Sequence, residues 1–257
     1  LTANWRVENP DIEPASELLK RIKAEKQKLI DEKKIGKEKP LRPITDEEIP
    51  FALPDGWVWA RPQNICTYIV DCPHSTPKFI NEGMNCIDST CINMQGDLLE
   101  HKIRKVSLKS FNERNKRLIP KSGDIIYVRE GVIGQAIIIP DNQDVCLGQR
   151  VMLYRLPKEV IPSLFRYMIT STFYLNCIAK IHKGMGAKHV NMGDLRIIPA
   201  PLSPFKEQVV VLKKIEYFMQ KCAVLEEEIK QSEIHTEQLM QAVIKEAFEP
   251  ETNKEIS

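Results

Sequence analysis

Five potential soft ligands, Cys66, Cys72, His74, Cys86 and Cys91, crowd one stretch of this chain. Zinc would need four of them to converge, and its usual signature is a tight C-x-x-C pair, which this sequence lacks. They read instead as buried, inert thiols, with no metal. In "VDCPHSTPKF", Asp71 and His74 could be half of an acid–base pair, although a turn whose polar side chains cap backbone groups is the simpler reading. The glycines of "VREGVIGQ" do not make a phosphate loop, because that motif needs a Lys-Ser/Thr pair opening a helix and "QAIII" opens a strand. A G-x-x-G nucleic-acid clamp joins two helices, which again fails here. Gly131 and Gly134 therefore shape a hairpin turn. Arg129 keeps two readings, an ion pair with a nearby acid or a DNA contact. No nucleophile beside a base, paired carboxylates or methyltransferase-like glycine loop is convincing, so no catalytic residue and no cofactor is assigned.

The other chemistry on offer is polyanion binding. Residues 57 to 204 carry 19 Lys and Arg against 12 Asp and Glu, net +7, while the flanks before and after are net −1 and −4. That balance fits a middle module that meets a polyanion between flanks that do not. "HKIRKVSLKSFNERNKRLIPK" supplies Arg104, Lys105, Arg114 and Lys116 as candidate phosphate contacts, from charge alone. "KIHKGMGAKHVNM" adds Lys183, Lys188 and His189 around two glycines, a basic loop able to approach a backbone closely. Gln149 and Arg150 read either as base readers or as polar residues of the core, with the core preferred.

These groups need a scaffold. A helix is expected over 15–34, opened by Pro14, with Leu18, Leu19, Ile22, Leu29 and Ile30 on one face. Pro40, Pro43, Pro50 and Pro54 then favour an extended, semi-rigid connector. From 51 to 204, short runs rich in Ile, Val, Thr and Tyr alternate with turns, interrupted by one helix over 162–181, which makes an α+β domain. Beyond it a seven-residue repeat runs through Ile215, Phe218, Cys222, Leu225, Ile229, Leu239 and Val243, with charge on the outside. Thr236 and Ser232 fill the remaining seam positions. Leu212 to Ala247 would make a helix of 36 residues, about 54 Å long at about 1.5 Å per residue. So narrow a seam calls for a partner helix, from this chain or another, the alternative being one long helix lying on its own domain. The expected divisions are 1–50 for helix and connector, 51–204 for the basic domain, 205–249 for the coiled-coil helix and 250–257 for a tail. No apolar run is long enough for a membrane span. Seven cysteines without a secretory signal point to a reducing cytoplasm without disulfides.

Several stretches in this order resemble the specificity subunit of type I restriction-modification enzymes, in a half-length form. They are "EPASELLKRIKAEKQKLI", "KPLRPITDEEIPFALPDGWVWARP", "DCPHSTPKFINEG", "GDIIYVREGVIGQAIII", "CLGQRVMLYR", "AKHVNMGDLRIIPAPLSPFKEQ" and "LMQAVIKEAFE". The resemblance covers most of the chain. It implies a non-catalytic subunit that reads a double-stranded DNA half-site through a target-recognition domain. It also implies seating for methyltransferase subunits, which bind S-adenosylmethionine and methylate adenine, and for a restriction subunit that cleaves. The positions matching the recognition motifs are His74, Ser75, Thr76 and Lys78, and Lys183, Lys188, His189 and Asn191. The resemblance also gives the terminal seam a partner, since the long helices of this family pair with each other.

The full-length subunit has two recognition domains and two long helices, where this chain has one of each. The opening "LTANWR" resembles the segment just after the first long helix of a full-length subunit, so the chain reads as a second half, excised or naturally separate. A separate half would form a two-fold homodimer through its C-terminal helix and read a palindromic, interrupted site. Two other classes compete. A coiled-coil adaptor whose basic domain binds an acidic protein surface would show no salt-dependent DNA affinity, and a nuclease or methyltransferase would need the acidic metal site or cofactor loop that is missing.

Overall fold

A computed structural model describes residues 1–181 and 189–248. Its elements run α1 (Ala3–Glu8), α2 (Ala15–Asp31), β1 (Val58–Ala60), α3 (Pro62–Ile65), β2 (Tyr68–Asp71), β3 (Phe79–Ile80), β4 (Met84–Ile87), β5 (Arg104–Val106), α4 (Leu108–Arg114) and β6 (Ile125–Val128). They continue with β7 (Ala136–Ile138), β8 (Val145–Leu147), β9 (Val151–Arg155), α5 (Pro162–Thr170), α6 (Thr172–Ile181), α7 (Met192–Ile197), β10 (Ala200–Leu202) and α8 (Phe205–Phe248). This is the expected mixture of short strands and helices followed by one long helix. None of the described helices is long and apolar enough to cross a membrane.

The centre of the domain is an antiparallel sheet in the order β2-β9-β6-β7. Its strands are apolar on both sides because both faces are covered. Alternation sends Ile125, Tyr127, Met152 and Tyr154 into one core, shared with Leu18 and Ile22 of α2, Phe165 and Ile169 of α5, Tyr174 of α6 and Leu195 of α7. The intervening residues Ile126, Val128, Val151 and Leu153 enter a second core with Ile87, Val145 and Leu147. That second core belongs to the sheet β3-β5-β4-β8, in which β4 and β8 run parallel and Cys86 pairs in register with Cys146. Its far face, with Cys86, Val106 and Cys146, is covered by Phe111 of α4. A third, two-stranded sheet joins β1 to β10.

Two expectations need correction. The segment 1–50 is not separate from the domain, since contacts group Thr2–Val210 as one compact unit and Leu1 with Val211 onward as the other. Two buried cations strap it down. Lys26 donates to the carbonyls of Gln63 (2.6 Å) and Cys66 (3.1 Å) and pairs with Glu38 of the connector. Arg61, 1% exposed, donates to the carbonyls of Arg42 and Pro43 and grips Glu48. The helix expected over 162–181 is two helices broken at Ser171, whose backbone is extended and whose Oγ accepts from the amide of Tyr174 at 3.3 Å. The basic run 101–121, to which the sequence reading assigned no element, holds β5 and α4, the latter begun by Ser107 accepting from the amide of Ser110.

The cysteines behave as expected of packing groups. Cys66, Cys72, Cys86, Cys91 and Cys146 are buried, and burial pushes the Cys66 thiol far up and that of Cys91 to about 11. Cys222 is exposed on α8.

Candidate nucleic-acid interface

One edge of the central sheet gathers the loops that the sequence singled out. β2 ends there at Asp71, β6 leaves there into "REGVIGQ", and β9 enters there from the corner Gly148-Gln149-Arg150. The hairpin reading of the glycines holds. β6 and β7 pair antiparallel, and Gly131 and Gly134 take φ of +85° and +97°. Beyond them, Val190 donates its amide to the Arg129 carbonyl at 2.8 Å, and Glu130 bridges His189 as an isolated antiparallel pair. The segment before α7 is thereby brought to the hairpin.

Arg129 organises this edge from within. It is 3% exposed and grips Asp71 with two bonds of 2.9 and 3.1 Å. Its Nη1 also lies 3.3 Å from the ring nitrogens of His189 and 3.4 Å from the Val190 carbonyl. A guanidinium only donates, so this arrangement favours a ring nitrogen that carries no proton. On its other flank His189 Nδ1 lies 3.7 Å from a Glu130 carboxylate oxygen. His74, largely exposed, lies 3.4 Å from Asp71 on the other side. Among the two readings of Arg129, the geometry selects the ion pair. As a direct DNA contact it is corrected, because its fork is spent inside the protein.

Arg114 requires the same correction. It is 7% exposed, and its guanidinium donates to the carbonyls of Leu147 (2.6 Å), Ser75 (3.0 Å), Gly148 (3.1 Å) and Pro73 (3.3 Å). That bonding ties the loop after β2 to the end of β8, so this arginine holds the interface rather than touching phosphate. Arg104 pairs with Asp88 and stacks 3.6 Å over the Phe79 ring, leaving its side chain about half exposed. Lys105 donates to Asn85 Oδ1 at 2.6 Å and is half-buried.

The remaining candidates present themselves to solvent. Ser75, Thr76, Lys78 and Lys116 are exposed, as are His189 and Asn191, which lie 3.3 Å apart. Lys183 and Lys188 lie outside the described residues. Gln149 is half-buried, with a weak 3.5 Å bond to the His74 carbonyl. Arg150, read as core, is exposed with φ of +67°. Two acids to which sequence reasoning gave little weight do the organising. Asp71 holds Arg129. Asp88, 3% exposed, holds Arg104 and accepts from the amide and hydroxyl of Thr90. Burial works to raise the Asp88 pKa, but the bonds from Thr90 and Arg104 outweigh it and leave the carboxyl below its usual range. An Asp at the end of an apolar strand was the available signal, and it does not name its partner.

On α8 the seam faces water in the described chain. Phe218, Leu225, Ile229, Leu239 and Val243 are each more than half exposed, Cys222 is exposed, and only Ile215 is half-buried. This stripe runs along a helix of 44 residues.

Residues 73–234 match the type I restriction modification DNA specificity domain. The chain belongs to this family. The specificity-domain match takes in the loops of the sheet edge and more than half of α8. The chain is 30% identical over 236 residues to the type I restriction enzyme EcoAI specificity subunit of Escherichia coli, covering 89% of this chain and 40% of that subunit. It is 27% identical over 251 residues to the EcoEI specificity subunit of the same organism, with the same coverage. The chain therefore spans well under half the length of these relatives. In structure it is similar to the HsdS subunit from Thermoanaerobacter tengcongensis, with a TM-score of 0.57 at 20% identity over 82% of this chain and 54% of that one. A chain from a type I R-M system, solved in work on complex assembly and conformational transition, gives a TM-score of 0.59 at 19% identity, over 91% of this chain and 54% of that one. At these identities the likeness is one of fold.

Proposed function

We propose that this chain is the DNA-reading half of a type I specificity subunit, one recognition domain and the long helix that connects it to its counterpart. The observation that carries the reading is that the specificity-domain match covers both the loop-bearing sheet edge and the helix with its uncovered seam. The domain supplies exposed hydroxyl, imidazole, amide and cationic groups on buried supports, which is what phosphate positioning and base reading require. The chain acts without catalysing. Methylation of adenine falls to methyltransferase subunits, which bring S-adenosylmethionine, and cleavage to a restriction subunit, all seated on the specificity subunit in the cytoplasm.

The seam of α8 pairs with a second long helix of the same kind, in another copy or in the other half of a longer subunit. At about 1.5 Å per residue its 44 residues extend about 66 Å. A DNA turn is about 34 Å, so a coil of this length sets two half-sites on the order of one turn apart with unread base pairs between them. The test is to purify the chain with its methyltransferase subunit and map methylated adenines on genomic DNA. A motif in two separated parts is expected, palindromic for two copies and asymmetric for a two-domain subunit. One continuous contacted site, or methylation by the isolated chain, would overturn the reading.

A further inference from the structure

The corner between β8 and β9 carries a residue that the fold does not use. Arg150 has φ of +67°, the left-handed region that glycine adopts freely and that a long side chain adopts only with strain. Its backbone is pinned on several sides. The Arg150 carbonyl accepts from the amide of Arg129 at 3.0 Å. The Gln149 carbonyl accepts from Ser89 at 3.4 Å, and the Gly148 amide donates to the Ile87 carbonyl at 2.6 Å. Gly148 is itself wedged, since a Cβ there would lie 2.4 Å from Asp88 Cβ. The corner therefore cannot swing, and a glycine at 150 would hold the same shape without strain. Yet the residue is arginine, exposed, and without a hydrogen bond, ion pair or aromatic partner among the described residues.

We propose that Arg150 is a base-reading residue that selects a guanine within the recognised half-site. The inference rests on the DNA-specificity reading and names one of its determinants. The corner itself is tied to the loop after β2, which Gln149 touches through the His74 carbonyl, and to the hairpin that begins at Arg129, whose amide donates to the Arg150 carbonyl. Both of those segments carry exposed polar residues, His74, Ser75 and Thr76 on the one and His189 beside the other. Charge on a flexible surface side chain suffices for a phosphate, as with Lys78 or Lys116, and needs no fixed backbone. Reading a base does need one, because the planar fork must meet O6 and N7 of guanine together. Fixed main chain, strained φ and an uncommitted guanidinium occur together at this position.

The experiment uses the full chain assembled with its methyltransferase subunits. The complex is incubated with a pool of random-sequence duplexes, and the bound fraction is sequenced, for the natural protein and for Arg150→Gly and Arg150→Lys. The natural complex should select a motif containing a fixed G·C pair. Both variants should lose preference at that pair by about tenfold or more while the other positions stay fixed, and Arg150→Gly should melt no lower than the natural chain. Unchanged selectivity would overturn the proposal and leave the specificity reading standing. So would an affinity loss uniform across sequences, which marks a phosphate contact, or a lowered melting temperature of Arg150→Gly, which marks a structural role. Failure of the natural complex to select any motif would overturn both.

Discussion

Arginine does not serve one end at this sheet edge, and burial tells the buried Arg114 and Arg129 from the exposed Arg150. Arg114 and Arg129 are nearly inaccessible and bonded throughout, so they act as rivets. Arg129→Ala would leave Asp71, whose side chain is 11% exposed, without its cation. Removing one partner of such a pair costs about 3–5 kcal/mol, and urea denaturation should show a fall of that order, read before any DNA-binding assay is interpreted. Arg114→Ala strips four carbonyls of their donor and should destabilise by at least about 3 kcal/mol. Asp88 gives a pH test. Its folded pKa lies below the ordinary 3.8, so the unfolded chain binds its proton first as pH falls. The stabilisation is present above that ordinary value and is lost as pH drops through the lower folded value. Thermal melting from neutral to strongly acidic pH should show this loss in the natural protein and a weaker pH slope in Asp88→Asn.

Among the elements, α8 stands apart because its apolar stripe is not matched by its own compact unit. Leu225 and Ile229 are 57% and 59% exposed. Replacing both with glutamate removes little that the isolated chain uses, so the melting of the Thr2–Val210 unit should shift by no more than about 0.5 kcal/mol per substitution. Pairing through the seam should be abolished, which sedimentation velocity reads directly. Cys222 reports the same event from within the seam. Iodoacetamide should modify it quickly in the unpaired chain and slowly once the helix is covered, while the five buried thiols stay unreacted until the chain unfolds.

For the whole molecule, the double-sided core packs the strands that bear the interface loops. Under the proposed pairing of α8, the length of that helix sets the spacing of two half-sites. Shortening α8 by one heptad within Lys221–Lys245 would reduce its length by about 10 Å at about 1.5 Å per residue. The unread gap in the methylated motif should then shrink by about three base pairs, since a turn of about 34 Å holds about 10. An unchanged gap would mean that the coil does not set the spacing.

Periodicity alone determined the long helix, its seam, the strand-rich middle and the hairpin at Gly131 and Gly134, because those depend on neighbours in sequence: repeats of seven and two, and residues tolerant of positive φ. The charge distribution set the middle module apart at net +7, a balance that fits a polyanion partner. What local chemistry cannot show is which cation is spent inside. Arg114, Arg129 and Arg150 look alike in sequence, and only the meeting of chain segments dozens of residues apart buries two of them against carbonyls and Asp71 while leaving the third in water. The same long-range packing turned a proline-rich connector into a strap held by Lys26 and Arg61. These two partners lie on α2 and at the start of α3, whose approach to the connector no spacing encodes.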